Sequence, residues 1–565
     1  MRPFLFLSLA ATILSTPLEN ENFRQSADAI APTVTIANGT IIGSGDLVME
    51  SFKGIPFAEP PVGKLRLKPP QPLTRGFGTF VSQTTPASCP QFLSQIDKSN
   101  LPSSVVGLLL NTPFFQTVSK QSEDCLSINV QRPSGTTGRS KLPVVVYFFG
   151  GAFEFGNTQL YDGGSMIKKS IHLGQQVIFV AVNSRISGFG FLAGKELQED
   201  GSTNLGLKDQ RRWIQDNIAA FGGDPSKVTL WGESAGSISA FDHTIINGGN
   251  NAYNGKPLFR GVIMDSGAMI PVLPVDDPKS QLIYDAVVDA AFCPRGPNSL
   301  KCLRLAPYKV FLNAVNSVPA FFSYSAVNLA YLPRPDPSDD FFPVSPDVAV
   351  LNGNFTKVPI IIGDQEDEGT LFSLFQRNIT TTSKVIDYFH SYFPLASRKN
   401  ITDLVATYPD DPRAGSPFGT GLLNEVYPQF KRIAAILGDI TFTLNRRVYL
   451  SIVSSQIDSW SYLSSYLYGT PILGTFHASD VLQTFFDLPS AAVSTNIQNY
   501  YISFINNLDP NGAPNQLTWP KYNNDSRPLM NFRDYGLLPV DTIIPDTFRQ
   551  ASFKALKSTM QVLKV

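Results

Sequence analysis

The stretch "FGGDPSKVTLWGESAGS" (221–237) decides the fold of this 565-residue chain. Its apolar run "VTLW" predicts a buried strand, and "SISAFDHTIIN", which follows the strand and the small residues of "GESAG", predicts a helix. A sharp strand-to-helix turn with glycines around a serine is typical of a nucleophile elbow, where bulk beside the serine would clash with the neighbouring strand and helix. We therefore expect Ser234 to be a nucleophile, placed where helix N-terminal N–H groups face a developing anion.

The surrounding sequence predicts an α/β fold. Apolar runs without polar alternation suit strands buried on both faces of a parallel sheet, and the segments between them are long enough for crossover helices. Residues 282–350 are Pro-rich and predict an irregular insertion over one face of the sheet. No repeat or linker divides the sequence, so we expect a single domain over residues 19–565. The runs are "LPVVVYFFGG" (142–151), "QVIFVAVNSR" (176–185), "KVTLWGES" (227–234), "LFRGVIMDSG" (258–267) and "VPIIIGDQ" (358–365).

Composition narrows the classes of partner. The net charge is −1 and no long run of like charges is present, so we expect no nucleic-acid partner. The 43% hydrophobic and 16% charged residues indicate a folded protein. Neither a Cys/His ligand cluster nor a phosphate-binding glycine loop is found, which predicts no metal and no organic cofactor.

The N-terminus indicates export. Residues 1–18 have one basic residue, an apolar run and then small residues, which is the layout of a secretory signal peptide and too short for a transmembrane segment. In an oxidising compartment the four cysteines should pair, and their spacing favours Cys89 with Cys125 and Cys293 with Cys302. We therefore expect a secreted, extracellular glycoprotein. The five glycosylation sequons begin at Asn38, Asn354, Asn378, Asn400 and Asn524.

A nucleophilic serine needs a base, and four histidines are present. In this fold the acid and then the histidine follow the serine, so His172 is excluded by order and His243 lies on the predicted helix that leaves the elbow. His390 lies in the apolar-periodic "VIDYFHSYF", which favours a packing role. His477 follows an apolar run and precedes a polar turn, which suits a loop at the edge of a sheet.

The acid and the oxyanion donors have separate candidates. "IIIGDQEDEGT" ends a predicted strand with Asp364, Glu366, Asp367 and Glu368, and the carboxyl ends of parallel strands are where such folds place their sites. The pattern does not choose among these four carboxylates. "VVVYFFGGAFEFG" places a Gly-rich turn at 150–152 after a strand, where esterases and lipases direct backbone N–H groups at the tetrahedral oxygen.

Longer motifs add a resemblance to a known family. They are "FKGIPFAEPPVGKLRLKPP" (52–70), "SEDCLSINVQRP" (122–133), the stretch 221–237, and "GTFHASD" (474–480). On these motifs the chain resembles the fungal type-B carboxylesterase/lipase family, among the cholinesterase-like α/β-hydrolases. It is especially similar to Candida rugosa-type lipases and fungal sterol esterases. The resemblance implies an α/β-hydrolase fold, with a large, mostly parallel central sheet and helices on both faces.

The resemblance also assigns roles to residues. It implies Ser234 as the nucleophile, His477 as general base and acid, and Glu368, in "DEGT", as the acid of the triad. It implies the same two disulfides as the spacing, and a buried structural ion pair between Arg66 and Glu123. The implied oxyanion donors are the backbone N–H groups of Gly151, Ala152 and Ala235. Relatives usually have glycine in place of Ala152, and a methyl group should be tolerated there unless φ is positive.

Two departures from the family pattern are expected to matter. Ser184, in "NSR", replaces an aromatic residue and is expected to leave a cavity. The segment between Arg211 and Trp213 is about three residues shorter than the pattern, which shortens a helix by about 4.5 Å and turns it by about 60°. We expect either local unwinding that weakens activity or an error in the predicted coding sequence.

The loop closed by Cys89 and Cys125 is the sequence feature that distinguishes a lipase from an esterase for small soluble esters. The matching loop in Candida rugosa-type lipases is an amphipathic flap that opens at a lipid surface, so the resemblance predicts a lid over 89–125 and a lipid ester substrate at a lipid–water interface, either triacylglycerols or steryl esters. A homodimer through the lid face is a further expectation. Three alternatives stay open: a loop packed into the core, an esterase for small soluble esters, and a catalytically inactive binding protein. The predicted lid residues are Leu101, Val105, Val106, Leu108, Leu109, Leu110, Phe114 and Phe115.

Overall fold

The apolar runs form the centre of an eleven-stranded mixed sheet, counted within the part of the chain that the computed structural model describes. That part comprises residues 31–92, 105, 120–210, 212–535 and 538–565. The strands are β1 (Thr33–Ile36), β2 (Gly39–Ile42), β3 (Ser44–Gly45), β4 (Met49–Pro56), β5 (Gly78–Val81), β6 (Ser127–Pro133), β7 (Leu142–Phe148), β8 (Ile178–Val182), β9 (Gly223–Glu233), β10 (Ala252–Tyr253), β11 (Lys256–Pro257), β12 (Gly261–Asp265), β13 (Ile360–Gln365), β14 (Ser459–Ser464), β15 (Pro528–Phe532), β16 (Asp534–Tyr535), β17 (Leu538–Pro539) and β18 (Thr542–Pro545).

The order across the large sheet is β18-β15-β14-β13-β12-β9-β7-β8-β6-β4-β3. The strands from β15 to β8 in this order are parallel to one another, and the strands at both edges are antiparallel. All five predicted runs lie among the parallel strands, because strands covered on both faces need apolar side chains on both. The carboxyl ends of β9 and β13 carry the turns that hold Ser234 and Glu368.

Helices pack against the sheet and enclose the cavity above it. They are α1 (Gly164–His172), α2 (Ser187–Gly190), α3 (Lys195–Glu199), α4 (Leu205–Asp209), α5 (Trp213–Asn217), α6 (Ala235–Ile245), α7 (Pro278–Ala290), α8 (Ser299–Leu305), α9 (Tyr308–Val315), α10 (Pro346–Leu351), α11 (Thr382–Tyr392), α12 (Arg398–Ala406), α13 (Phe430–Gly438), α14 (Leu444–Val453), α15 (Ser479–Phe486), α16 (Ala491–Asn507) and α17 (Gln550–Thr559). A π-helical turn, Asp439–Thr443, joins α13 to α14.

One expectation about this layer was wrong. The region 282–350 contains helices α8, α9 and α10 and most of α7, so only its middle part, from about 318 to 345, is irregular. The prolines mark helix starts as well as loops: Pro278 and Pro346 are at the first turns of α7 and α10, where a missing N–H costs nothing. Within the described residues, no helix combines the length and apolar character that crossing a membrane requires.

Two disulfides join Cys89 to Cys125 and Cys293 to Cys302, which is the predicted pairing. The predicted signal peptide and all the predicted lid residues except Val105 lie outside the described residues. The side chain of Val105 is buried, with 1% of its surface exposed, and belongs to the main hydrophobic core.

Candidate active site

The serine of the elbow is held in a strained backbone conformation. Ser234 has φ 55° and ψ −123° and connects the end of β9 to the start of α6. A Cβ atom on Gly232 would lie 2.2 Å from the carbonyl carbon of Gly236, and one on Gly236 would lie 1.9 Å from the carbonyl oxygen of Phe148. Both positions therefore require glycine, and the strained turn lifts the serine side chain out of the sheet.

His477 connects Ser234 to Glu368 through two hydrogen bonds. Its Nε2 lies 2.8 Å from the Ser234 hydroxyl oxygen, and its Nδ1 lies 2.5 Å from Glu368 Oε2. The backbone N–H of Gln365 donates to the other carboxylate oxygen of Glu368 at 2.7 Å. The imidazole and the carboxylate are both buried, whereas Ser234 is partly exposed. The structure thus brings the three residues predicted as a triad into one hydrogen-bonded chain.

The other three carboxylates of the same turn have different partners. Asp364 binds the guanidinium of Arg446 at 2.6 Å. Asp367 accepts hydrogen bonds from the hydroxyl of Ser416 and from the backbone N–H groups of Phe418 and Thr475. Glu366 is partly buried, which raises its pKa, and a hydrogen bond with the Ser465 side chain offsets part of that effect. Of these four carboxylates, only Glu368 contacts a histidine.

The loops that carry Glu368 and His477 are connected to each other. The backbone N–H of Asp367 donates to the carbonyl of Thr475 at 2.9 Å, and the N–H of Thr475 donates back to the Asp367 carboxylate at 3.0 Å. Asp367 also forms a bridge with Phe476. In the sequence, Asp367 is next to Glu368, and Thr475 and Phe476 lie within two residues of His477. Asp367 therefore fixes the acid loop against the histidine loop.

The predicted oxyanion donors belong to the Gly-rich turn and to the start of α6. Gly151 has φ 113°, and a Cβ atom there would be 2.1 Å from the carbonyl oxygen of Phe155, so this residue must be glycine. Ala152 has φ 56°, the positive value at which a methyl group is unfavourable. Within the described residues, no hydrogen bond from the N–H groups of Gly151, Ala152 or Ala235 is found. These three groups line the cavity next to Ser234.

A large apolar cavity opens beside the serine. Together with the open solvent at its mouth it has a volume of about 1140 Å³, and Ser234 and His477 bound it on one side. The rings of Phe372 and Phe442 lie against the imidazole, with centroids 5.1 and 4.6 Å away. The remaining walls are mainly aliphatic and aromatic, and include Phe153, Phe155, Ile238, Ile270, Val272, Phe321, Phe322, Val327, Leu329, Leu332 and Leu371.

Two buried carboxylates near the serine were not identified from the sequence. Glu233 Oε1 lies 3.6 Å from His477 Nε2, and burial, with the nearby carboxylates of Asp480 and Glu368, raises the pKa of Glu233 well above its ordinary value. Glu154 follows the Gly-rich turn and is fully buried. Both occur inside motifs already quoted, but an acidic residue beside a nucleophile or a glycine turn gives no sign in the sequence that it is buried.

Glu154 connects three segments around the cavity. Its Oε2 accepts a hydrogen bond from the N–H of Phe321 at 3.1 Å, and its carbonyl accepts one from the N–H of Phe92 at 2.7 Å. Its own N–H donates to the carbonyl of Gly151 at 2.9 Å. Within the described residues, Oε1 has no hydrogen-bond partner. Burial raises the pKa of Glu154 to about 8, and the single N–H of Phe321 offsets only part of that effect.

The remaining histidines and the expected ion pair lie away from the triad. His243 Nε2 is 3.1 Å from Gln210 Oε1, and His390 is partly buried on α11. Arg66 forms a bidentate ion pair with Glu123: Nε donates to Oε1 at 2.6 Å and Nη2 donates to Oε2 at 2.8 Å. Both side chains are buried. This pair therefore has the structural surroundings that the resemblance implies.

The shortened segment interrupts a helix. α4 ends at Asp209 and α5 begins at Trp213, and Arg212 between them has φ 74° and ψ −41°. Arg211 lies outside the described residues. A pocket lies here, lined in part by Gln210, which donates a hydrogen bond to Ser184 at 3.2 Å. The local unwinding that we expected is present in the backbone.

The five sequon asparagines lie on the outside of the described structure. Asn354, Asn378 and Asn524 are exposed, and Asn38 and Asn400 are partly exposed. The side-chain oxygen of Asn400 accepts a hydrogen bond from the N–H of Ser397, as part of the N-terminal cap of α12. Within the described residues, no group of three or more His, Cys, Asp or Glu side chains is arranged to hold a metal ion.

Comparison with known proteins gives consistent matches along the chain. A profile described as "Carboxylesterase family" matches residues 30–537. "Secreted lipase 1" of Botryotinia fuckeliana is 52% identical over 97% of this chain and 96% of that protein. "Secreted triacylglycerol lipase LIP1" of Gibberella zeae is 48% identical over 94% of this chain and 91% of that protein. "Lipase 5" of Diutina rugosa is 46% identical over 94% and 96%.

A solved structure supports the fold. The structure titled "Crystal Structure of Aspergillus niger EstA" superposes with a TM-score of 0.76 at 24% identity, covering 94% of this chain and 99% of that one. The shared architecture is the α/β-hydrolase fold, as the motifs predicted.

Proposed function

The chain belongs to the carboxylesterase family, and we propose that it is a secreted lipase that cleaves long-chain lipid esters with the triad Ser234, His477 and Glu368. Membership makes it a carboxylic ester hydrolase. One observation carries the proposal for the site: the Ser234–His477–Glu368 hydrogen-bonded chain opens onto a cavity with mainly aliphatic and aromatic walls. Such a cavity suits an acyl chain because burying apolar surface favours binding by about 25 cal/mol per Å².

The reaction has two half-reactions. His477 Nε2 accepts the proton of the Ser234 hydroxyl while the serine oxygen attacks the ester carbonyl, and it then gives that proton to the departing alcohol. Water enters by the same route and releases the fatty acid. Glu368 fixes the tautomer of the imidazole through Nδ1–H and stabilises the imidazolium, while the N–H of Gln365 holds the carboxylate in place.

The tetrahedral oxygen would be bound by the N–H groups of Gly151, Ala152 and Ala235. Within the described residues these N–H groups make no other hydrogen bond, so they are available to bind this oxygen. Ala235 is the first residue of α6, so the helix dipole adds to the attraction for an anion. The positive φ of Ala152 makes this turn more strained than it would be with glycine.

Secretion and the lid complete the proposal. Relatives at 52% and 48% identity are named as secreted lipases, and this agrees with a signal peptide over residues 1–18, with the two disulfides and with exposed sequons at Asn354, Asn378 and Asn524. Recovery of the protein from culture medium, N-terminal sequencing and a mass shift on deglycosylation would test this part. A lid within 89–125 predicts that the rate rises once the substrate exceeds its solubility limit.

The central experiment compares three esters with purified protein: triolein, cholesteryl oleate and p-nitrophenyl butyrate. We expect hydrolysis of triolein, and Ser234→Ala should lower kcat by about 10⁴-fold or more on every ester cleaved. Cleavage of cholesteryl oleate would extend the activity to steryl esters. Hydrolysis of the soluble ester alone would overturn the lipase assignment, and full activity of Ser234→Ala would overturn the triad.

A further inference from the structure

One face of helix α6 forms part of the cavity wall. Ala235, Ile238 and Asp242 all line the cavity, and their spacings of three and four residues place them on the same side of a helix. Two of these side chains are apolar, as are most of the other walls. Asp242 is the exception, and it lies two turns beyond the serine at the N-terminus of the same helix.

The Asp242 carboxyl group has no protein partner within the described residues. Its side chain is buried, with 1% of its surface exposed, and neither Oδ1 nor Oδ2 makes a hydrogen bond to those residues. Burial alone raises the pKa of Asp242 well above its ordinary value, because no charged neighbour contributes. A neutral carboxyl group has one O–H donor and a carbonyl acceptor. Buried polar groups are almost always hydrogen-bonded, so an unpartnered carboxyl group on a residue of the cavity wall indicates a ligand.

We infer that Asp242 is a hydrogen-bonding subsite for acyl chains that carry a hydroxyl or keto oxygen near their middle. The inference rests on the proposed function, since it needs the ester at Ser234 and the acyl chain along α6. Asp242 follows Ser234 by eight residues, which is about 12 Å along a helix. An extended chain covers about 3.5 Å for every three bonds, so roughly ten bonds separate the ester carbonyl from the carboxyl group.

The location of the carboxyl group excludes a direct part in the chemistry. Glu233, the other carboxylate side chain on the cavity wall, lies 3.6 Å from His477, whereas Asp242 lies two helical turns beyond Ser234. A donor at that distance contacts the acyl chain equally before and during the reaction. Its effect should therefore fall on the choice among substrates rather than on the turnover of an unsubstituted ester.

The test compares p-nitrophenyl 12-hydroxyoctadecanoate with p-nitrophenyl octadecanoate, both dispersed in detergent micelles. We expect the wild type to favour the hydroxylated ester about tenfold in kcat/KM, the effect of one buried hydrogen bond. Asp242→Leu should reduce this ratio to about one or below, while hydrolysis of the unsubstituted ester shows that the variant is folded. Asp242→Asn keeps a donor and an acceptor and should retain a preference.

Two controls make the result specific. Ser239→Ala changes the same helix at a hydroxyl that donates to the Ala235 carbonyl and does not line the cavity, so it should leave the ratio unchanged. The 2-hydroxy ester places its oxygen beside the reaction centre, so its rate relative to the unsubstituted ester should not respond to Asp242→Leu. An identical ratio in wild type and Asp242→Leu would overturn the inference alone. Loss of all ester hydrolysis in the wild type would instead overturn the proposed function.

Discussion

Glu154 should make the stability of this protein fall as the pH rises from about 5 to about 8. Its pKa is 4.5 in an unfolded chain and about 8 in the folded protein, because the carboxyl group is fully buried beside one N–H donor. Between these values the folded state holds a proton that the unfolded state has released. The contribution of protonated Glu154 to the free energy of unfolding is thus fully present below pH 4.5. It is lost as the pH rises to about 8.

The magnitude follows from the two pKa values. One pKa unit corresponds to about 1.4 kcal/mol, so the penalty that Glu154 imposes grows by about 3 to 4 kcal/mol between pH 5 and pH 8. Glu154→Gln has nearly the same shape, can accept the hydrogen bond from Phe321 and does not titrate. Relative to the wild type, this variant should therefore become more stable by up to that amount as the pH is raised.

Urea unfolding at pH 5, 6, 7 and 8 measures this difference directly. Glu59→Gln is the matched control, because hydrogen bonds from the hydroxyl and N–H of Thr74 lower the pKa of Glu59 and keep it ionised over this range. Its stability curve should run parallel to that of the wild type. A parallel curve for Glu154→Gln would refute the reasoning, since it would mean that the folded protein holds Glu154 with an ordinary pKa.

Three further predictions concern the site and its support. Glu368→Gln should lower kcat by about 10³- to 10⁴-fold with little change in thermal unfolding, and activity near that of the wild type would argue against the assigned acid. Gly151→Ala should lower kcat at least about 100-fold, because the added Cβ would lie 2.1 Å from the Phe155 carbonyl oxygen and displace an oxyanion donor. If this variant were fully active, the oxyanion donors would have to be other groups. Arg446→Met should lower the free energy of unfolding by about 3 to 5 kcal/mol, since it leaves the buried carboxylate of Asp364 without an ion-pair partner and removes one of the two guanidinium partners of Asp546. An unchanged urea midpoint would contradict this.

The central sheet could be predicted because buried parallel strands have a distinct composition. The five apolar runs all became neighbouring strands, and β9 led into the elbow as "VTLWGESAG" indicated. Strands β4 and β6 at the antiparallel edge were not identified, since their polar residues, such as Arg132, find partners only in the folded protein. Helix α10 was missed because a proline at a first turn, such as Pro346, resembles a loop proline.

The site was predictable to the extent that its residues carry a local motif. Ser234 has one in the glycines of the elbow, whereas the residue pattern left Glu368 as one of four carboxylates and only the family resemblance distinguished it. Asp242 gave no signal, because an acidic residue in a helix is ordinarily exposed. Its burial depends on which face of α6 meets the cavity, and this is set by contacts distant in the sequence.

The hydrogen bonds between Asp367 and Thr475 bear on how such enzymes can be recombined. They make the acid loop and the histidine loop a single unit, although more than a hundred residues of sequence separate them. A chimaera that takes one of these loops from a relative and keeps the other would mismatch this pair and misplace the imidazole. Exchanging both loops together, and leaving the elbow with its own strand, should preserve the alignment of His477 with Ser234. The transferable module is therefore discontinuous in sequence and contiguous in space.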